Sequence, residues 1–134
     1  MKKIFVLSAA AAILTAGIVS LQAQGAPRSS WSGIFTADQV ARGKQLFTDN
    51  CAPCHGMGAW SAGVVPDLRR SGALGDTVAW RAVAMDGALQ DEGMISFKSF
   101  LSLQDAEAIR AYVANETRVI SALETEKNRE RNRQ

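Results

Sequence analysis

The chain contains two cysteines and one histidine, and all three lie in the segment Cys51-Ala52-Pro53-Cys54-His55. Thiols at this spacing can each add to one of the two neighbouring vinyl groups of a haem. The next side chain then faces the ring, where an imidazole nitrogen can bind the iron. The spacing therefore predicts one covalently attached haem c, with its iron, held by Cys51 and Cys54 and ligated by His55.

Three other chemistries use the same residue types. A structural zinc site needs four nitrogen or sulfur ligands, and this chain offers only three unless a carboxylate joins them. A thioredoxin-like redox pair follows a strand in a βαβ unit, whereas the residues before Cys51 have helical periodicity. A local disulfide suits an oxidising compartment but leaves the adjacent His55 unexplained. Haem attachment accounts for all three residues.

The iron face opposite His55 needs its own ligand, and methionine is the usual one in electron carriers. Met57 is too close in sequence to His55 to reach that face. Met85 falls on the apolar stripe of a predicted helix, where a methionine more often fills the core. Met94 follows Gly93 in a loop about forty residues beyond His55, which is enough chain to pass the haem edge. Met94 is the predicted ligand, with Met85 or an open position as alternatives.

The N-terminal segment predicts export. Lys2 and Lys3 precede an uncharged, alanine-rich apolar run over residues 4–19, and Ala23 is a small residue suited to a cleavage site. This pattern is typical of a secretory signal peptide, so residues 1–23 are expected to be removed and the mature protein to be periplasmic. A retained membrane anchor is the alternative, although an anchor needs ~20 apolar residues. No membrane span is expected in the mature chain.

The charge pattern does not favour nucleic-acid binding. The chain has 15 Lys and Arg against 13 Asp and Glu, and removal of Lys2 and Lys3 would leave the two signs equal. A nucleic-acid-binding surface would need a strong basic excess on one face. Basic and acidic residues are mixed in residues 118–134, which are expected to form a solvated helix end or a frayed terminus. Docking of this tail to an acidic partner is the alternative.

Periodicity and capping patterns predict three helices and no strand. The first begins with a capping-box pattern at Thr36 and Gln39 and ends at Asn50. The second is predicted over about residues 76–85, and the third begins with a cap at Ser102. Glycine-rich segments without long-range periodicity separate the helices, so they are predicted to be loops. The fold class is therefore all-α.

Residues 36–113 resemble class I c-type cytochromes, and in particular the haem domains of quinohaemoprotein alcohol dehydrogenases and their small partner cytochromes. The similar segments include Cys-Ala-Pro-Cys-His-Gly at 51–56, Gly-Val-Val-Pro-Asp-Leu-Arg at 63–69, Gly-Met-Ile-Ser-Phe at 93–97, and residues 42–43, 86–89 and 108–113. The resemblance implies a cytochrome c domain over residues 36–117, with three main helices and two long loops wrapping one haem. A leader or linker at residues 24–35 precedes it, and the charged tail at 118–134 follows it.

The resemblance also implies roles for residues around the haem. The backbone carbonyl of Pro66 would accept the other ring N–H of His55, which would fix the tautomer and raise the basicity of the ring. Arg69 or Arg70 would pair with a haem propionate, or each would be a solvated surface charge. The Gly-Met-Ile-Ser-Phe segment supports Met94 as the second iron ligand.

Two further contacts follow from the same resemblance. Gly43 and Phe47 would meet Tyr112 where the first and last helices cross, because a glycine permits close approach of two helices. Trp80 is expected to pack in the core rather than to contact a propionate.

The function implied is outer-sphere transfer of single electrons, because two axial ligands leave no open position on the iron. The expected donor is a periplasmic quinoprotein (PQQ-type) dehydrogenase, and the acceptor is a cytochrome or terminal oxidase of the respiratory chain. No enzyme activity is expected, because this haem domain follows its own export signal and is not fused to a catalytic propeller. The alternatives are a tightly bound electron-transfer subunit of such a dehydrogenase and a five-coordinate haem protein that binds a gas or peroxide.

Overall fold

The computed structural model describes residues 35–61, 63 and 65–134. The predicted signal peptide and all but the last residue of the predicted leader lie outside the described residues. The described part of the chain forms α-helices and short 3-10 turns without any strand, which confirms the predicted all-α class. None of the helices in this part is both long and apolar enough to cross a bilayer.

Four α-helices form the scaffold, and short 3-10 turns shape the loops between them. The α-helices are α1 (Ala37–Asn50), α2 (Ala52–His55), α3 (Thr77–Ala84) and α4 (Leu103–Arg131). The 3-10 turns are Met57–Ala59, Leu68–Arg70, Gly72–Gly75 and Gln90–Glu92. The three predicted helices correspond to α1, α3 and α4. The prediction missed only α2, a single turn formed by the cysteine motif itself.

Capping boxes start both long helices, as the sequence predicted. Thr36 accepts a hydrogen bond from the N–H of Gln39 at 3.2 Å, and the Gln39 side chain accepts one from the N–H of Thr36 at 2.9 Å. Ser102 and Asp105 form the same reciprocal pair at the start of α4, at 3.2 and 3.0 Å. These contacts satisfy backbone donors that have no partner within the helix.

Asp105 also joins α4 to α1. Its carboxylate accepts from Nε of Arg42 at 3.1 Å, across 63 residues of sequence. The hydrogen bond from the Ser102 side chain, and then the one from Arg42, hold the pKa of Asp105 at about 2. The carboxylate is therefore ionised throughout the neutral range, and the pair ties the first turns of the two helices together.

The crossing of α1 and α4 forms the centre of the core. A Cβ atom at Gly43 would lie 1.8 Å from the carbonyl oxygen of Ala108, so the two backbones touch at this point. One turn further along α1, the fully buried Phe47 packs on Tyr112 with ring centroids 5.2 Å apart. The contact of Gly43 and Phe47 with Tyr112 that the resemblance implied is therefore present.

Helix α3 covers one side of this core. Asp76 caps the helix by accepting from the N–H groups of Val78 and Ala79. Trp80 is buried, and its indole Nε1 donates to the carbonyl of Ala106 at 2.8 Å. The tryptophan thus packs in the core, as expected, and its only polar atom is satisfied by α4.

The distal part of α4 extends beyond the domain. Helix α4 is buried over much of its length up to Thr117, whereas every residue from 122 onward is exposed. Its last turn carries the basic residues Arg129 and Arg131. Positive side chains at this position stabilise a helix, because its C-terminal end carries a partial negative charge. The predicted tail is therefore a continuous helix that ends at Arg131.

Gly43→Ala tests the backbone contact. We expect the free energy of unfolding to fall by about 2 kcal/mol. With the added atom only 1.8 Å from a backbone oxygen, overpacking costs about 3 kcal/mol, and better helix propensity recovers about 1 kcal/mol. Urea denaturation followed by circular dichroism measures the change. Gly72→Ala is the matched control, since a Cβ at Gly72 meets no atom within 4 Å. Equal stability of the two variants would contradict this account of the crossing.

Candidate haem-binding site

One helical turn brings the three motif side chains together. Cys51 ends α1, where its N–H donates to the carbonyl of Phe47 at 2.8 Å. The chain then turns directly into α2, in which the N–H groups of Cys54 and His55 both donate to the carbonyl of Cys51, at 3.2 and 2.9 Å. Pro53 suits this position because the first turn of a helix needs no N–H from it. The hydrogen bond to the carbonyl of Phe47 therefore connects the first residue of the motif to the core.

The thiols and the imidazole occupy different environments. Cys51 and His55 are half-buried, Cys54 is exposed, and neither thiol is in a disulfide. Burial, reinforced by the neighbouring Cys54, raises the pKa of Cys51 to about 12. Burial lowers the pKa of His55. At neutral pH Cys51 is thus a thiol and His55 a neutral imidazole with a free lone pair, which is the form that binds a metal.

These residues fit a covalently attached haem and fit its competitors poorly. No group of three or more His, Cys, Asp and Glu side chains in the described part of the chain is arranged to hold a metal ion by itself. No strand precedes the motif, which argues against a thioredoxin-like pair. A haem needs two accessible thiols on one turn and an adjacent neutral imidazole. The motif supplies all three groups.

A glycine allows the chain to leave the motif sharply. Gly56 has a φ of 72°, in the region that favours glycine, and a Cβ there would lie 2.3 Å from the carbonyl oxygen of Trp60. The backbone therefore folds back close behind His55. This places Trp60 on the surface of the same short loop, with its side chain exposed.

The predicted partner of the His55 ring is the backbone carbonyl of Pro66. Nδ1 of His55 is buried and has no hydrogen-bond partner of good geometry among the described residues. The Pro66 backbone nonetheless opposes the effect of burial and raises the pKa of His55. Its role as the acceptor for Nδ1–H stays a prediction.

Both arginines that follow Pro66 are held by carboxylates of this chain. The Arg69 guanidinium donates to the two oxygens of Asp67 at 2.9 and 2.7 Å and lies over the ring of Trp60, 5.9 Å from its centroid. Arg70 pairs with Glu124 on α4 at 3.1 Å. A propionate contact would have to share these guanidinium groups, and it also stays a prediction.

The loop that carries Met94 is attached to the end of α3. The N–H of Phe97 donates to the carbonyl of Ala84 at 3.0 Å, and the Ser96 hydroxyl donates to the carbonyl of Met85. Met94 follows Gly93, whose φ is 94°, and its N–H donates to the carbonyl of Leu89 at 3.1 Å. The loop therefore has a defined path, with the Met94 side chain half-buried.

The other candidate methionines have different surroundings. Met85 is 2% exposed and belongs to the core, and Met57 is 65% exposed on the loop after His55. Ligation by Met94 stays a prediction, but the environment of Met85 agrees with a core-filling role.

Two residues that hold the segment after Pro66, Asp67 and Thr117, were not predicted from the sequence. Asp67 caps the turn Leu68–Arg70 and binds Arg69, and its position two residues before Arg69 was a local signal for such a cap. Thr117 donates to the carbonyl of Arg69 from α4 at 2.9 Å. No local pattern indicated that contact, because 48 residues separate the two partners.

An all-α domain with a Cys-x-x-Cys-His turn at the end of its first helix defines a c-type cytochrome domain. Residues 38–113 match the family described as "Cytochrome C oxidase, cbb3-type, subunit III". The match covers more than half of the chain, and the chain belongs to this cytochrome c family. Membership implies a haem with iron and a role in electron transfer.

Curated relatives carry the same type of domain. The chain is 41% identical over 76 residues to the quinohemoprotein alcohol dehydrogenase ADH IIB of Pseudomonas putida, covering 57% of this chain and 11% of that protein. It is 38% identical over 79 residues to cytochrome c550 of Pseudomonas aeruginosa, covering 55% and 53%. It is 38% identical over 81 residues to the cbb3-type cytochrome c oxidase subunit FixP of Azorhizobium caulinodans, covering 54% and 28%. The predicted resemblance is confirmed.

These matches cover only part of each relative, so only the shared domain can be compared with this chain. The chain spans about a ninth of the dehydrogenase and about half of cytochrome c550. The shared region is the cytochrome domain, so electron transfer is what the relatives have in common with this chain.

Proposed function

We propose that this protein is an exported, periplasmic cytochrome with one covalently bound haem c, and that it carries single electrons. The observation that carries the proposal is the α2 turn, where two free thiols and a neutral imidazole lie together in a domain of the cytochrome c family. A bound haem c supplies an iron that alternates between Fe(II) and Fe(III). Cys51 and Cys54 would fix it to the chain, and His55 would bind the iron.

Met94 is proposed as the second axial ligand. Its loop is tethered to the end of α3, whereas Met85 is buried in the core and Met57 is only two residues from His55. A thioether ligand favours Fe(II), so the reduction potential would be relatively high. With His55 and Met94 both bound, the iron would have no position for a substrate, and the protein would act as a carrier and not as an enzyme.

The proposed donor is a quinoprotein alcohol dehydrogenase, and the proposed acceptor is a cytochrome or terminal oxidase. The relatives support this pairing, because they include a quinohemoprotein alcohol dehydrogenase and a subunit of a cbb3-type oxidase. Met57 and Trp60 expose apolar side chains on the loop after His55. Such a small apolar surface suits the weak and brief contacts of electron-transfer partners.

Haem attachment is the first test. Expression with a cytochrome maturation system should yield red protein whose haem stays on the chain after denaturation, as seen by mass spectrometry. The Cys51→Ala/Cys54→Ala variant should lose the covalent haem, because each thioether bond needs a cysteine sulfur and this variant has none. Colourless wild-type protein with two free thiols would contradict the proposal.

The second ligand is tested by the near-infrared spectrum of the ferric protein. We expect Met94→Ala to lose the weak band of thioether-ligated ferric haem, because the sulfur is removed. Met85→Ala is the matched control and should keep the band. Wild-type protein that lacks the band and binds carbon monoxide readily would instead be a five-coordinate haem protein.

The donor is tested by mixing oxidised cytochrome with a purified quinoprotein alcohol dehydrogenase and ethanol. The cytochrome should be reduced within the enzyme's turnover time, and omission of ethanol should abolish the reduction. Gel filtration of the mixture then distinguishes a free carrier from a bound subunit, which would co-elute with the enzyme. Reduction no faster than without enzyme would exclude this donor.

A further inference from the structure

Helix α4 continues well past residue 113, where the match to the family ends. Two contacts hold its next turns to the domain. The hydroxyl of Thr117 donates to the carbonyl of Arg69 at 2.9 Å, and the carboxylate of Glu124 pairs with Arg70 at 3.1 Å. The part of α4 outside the family match therefore begins from a base that the domain holds in place.

The distal segment of α4, which we define as residues 122–134, is exposed throughout. The chain is helical as far as Arg131, and no apolar side chain follows Leu123. A helix that is polar on every side gains little from packing on the core of its own domain. The side chains of this segment are therefore presented to solvent or to another molecule.

The arginines in the described part of the chain divide into two groups by their partners. Each of the five arginines between residues 35 and 117 forms an ion pair with a carboxylate, at 2.5 to 3.8 Å. These pairs are Arg42–Asp105, Arg69–Asp67, Arg70–Glu124, Arg81–Asp86 and Arg110–Glu107. None of the four arginines after residue 117 has a carboxylate partner among the described residues. Their guanidinium groups are therefore open to a carboxylate of another molecule.

Basic residues occupy every second position near the end of the distal segment. They are Lys127, Arg129, Arg131 and Arg133. Two residues turn a helix by about 200°, so successive members of this run lie on opposite sides of it. The helix dipole favours Arg129 and Arg131, which lie in the last turn, but Lys127 lies before that turn. Lys127 and Arg131 are four residues apart, and like charges at this spacing destabilise a helix. An acidic partner would relieve this repulsion.

The chemistry of the segment fits an acidic protein better than a lipid surface or a second copy of the chain. A helix that binds a lipid surface carries an apolar face, which the residues after Leu123 do not provide. In a second copy, five of the carboxylates already form ion pairs with arginines of their own chain. Arginine binds a carboxylate through two parallel hydrogen bonds and is enriched in protein interfaces.

We propose that the distal segment of α4 is a docking element that binds an acidic surface of a partner protein through its four basic residues. Charge complementarity supplies the attraction, and carboxylates of the partner pair with guanidinium groups that have no carboxylate partner in the described chain. The segment is separate in sequence from Met57 and Trp60, so it would add a second contact to an electron-transfer encounter. The inference goes beyond the proposed function, because it concerns residues outside the haem-binding site.

Binding to poly-L-glutamate, an acidic polypeptide, tests the proposal in the haem-loaded, full-length protein at low salt. The segment variant is Arg129→Gln/Arg131→Gln/Arg133→Gln, which removes three charges. It should keep the helix, because glutamine and arginine have similar helix propensities. We expect it to bind about tenfold more weakly than the wild-type protein, the order expected for loss of three exposed ion pairs. Titration calorimetry measures the affinity.

The matched control is Lys44→Gln/Arg81→Gln/Lys98→Gln. It removes the same charge from exposed residues of the domain, none of which belongs to the haem-binding site. The control should bind poly-L-glutamate as the wild-type protein does. Haem content is measured on the same samples, so a failure of the carrier function would appear as colourless protein and is distinguishable from a loss of binding.

The remaining outcomes overturn the proposal. Equal weakening in the two variants would mean that net charge and not the segment sets the affinity, and wild-type protein that does not bind poly-L-glutamate has no such docking element. Binding to phosphatidylglycerol vesicles but not to poly-L-glutamate would assign the segment to a lipid surface. A salt-sensitive dimer in sedimentation that only the segment variant loses would assign it to a second copy.

Discussion

The backbone contact between α1 and α4 sets the geometry on which the rest of the molecule depends. Gly43 allows the helix to approach the carbonyl of Ala108 at a distance that no side chain permits. From this contact α1 continues without a break to Cys51, so the crossing decides where the motif turn lies relative to the core. Phe47 and Tyr112 fill the space beside the contact, and Arg42 with Asp105 closes one edge of it.

Partial burial of the motif turn favours the neutral form of two of its side chains. It raises the pKa of the Cys51 thiol and lowers that of the His55 imidazole, because burial disfavours the charged form of each. A protonated thiol is a poor nucleophile, so the Cys51 thiol reacts slowly with oxidants and disulfides. A neutral imidazole keeps the lone pair that iron requires. A single environment therefore keeps both the Cys51 thiol and the His55 imidazole in their neutral forms.

Local chemistry explains what could be predicted from the sequence. The caps at Thr36 and Ser102 depend on residues three positions away, and the motif lies within one turn, so short patterns were sufficient. The contact of Gly43 with α4 followed from the family resemblance. The contacts of Thr117 with Arg69 and of Arg70 with Glu124 join residues 48 and 54 positions apart, and no local pattern encodes them. The approach of Met94 to the iron depends on the path of a loop around a cofactor, and it too stays a prediction.

The exposed end of α4 gives the molecule a marked separation of charge. Residues 127–134 carry four basic side chains and one acidic one, whereas residues 35–126 carry eight basic and twelve acidic side chains. Because the residues of α4 from 122 onward are exposed, the basic side chains near its end lie outside the packed core. An electric dipole of this kind turns the molecule in the field of a charged surface before contact is made, and dissolved salt screens that field beyond about 10 Å. In the field of a charged surface, the orientation of the molecule is therefore governed in part by the tip of α4.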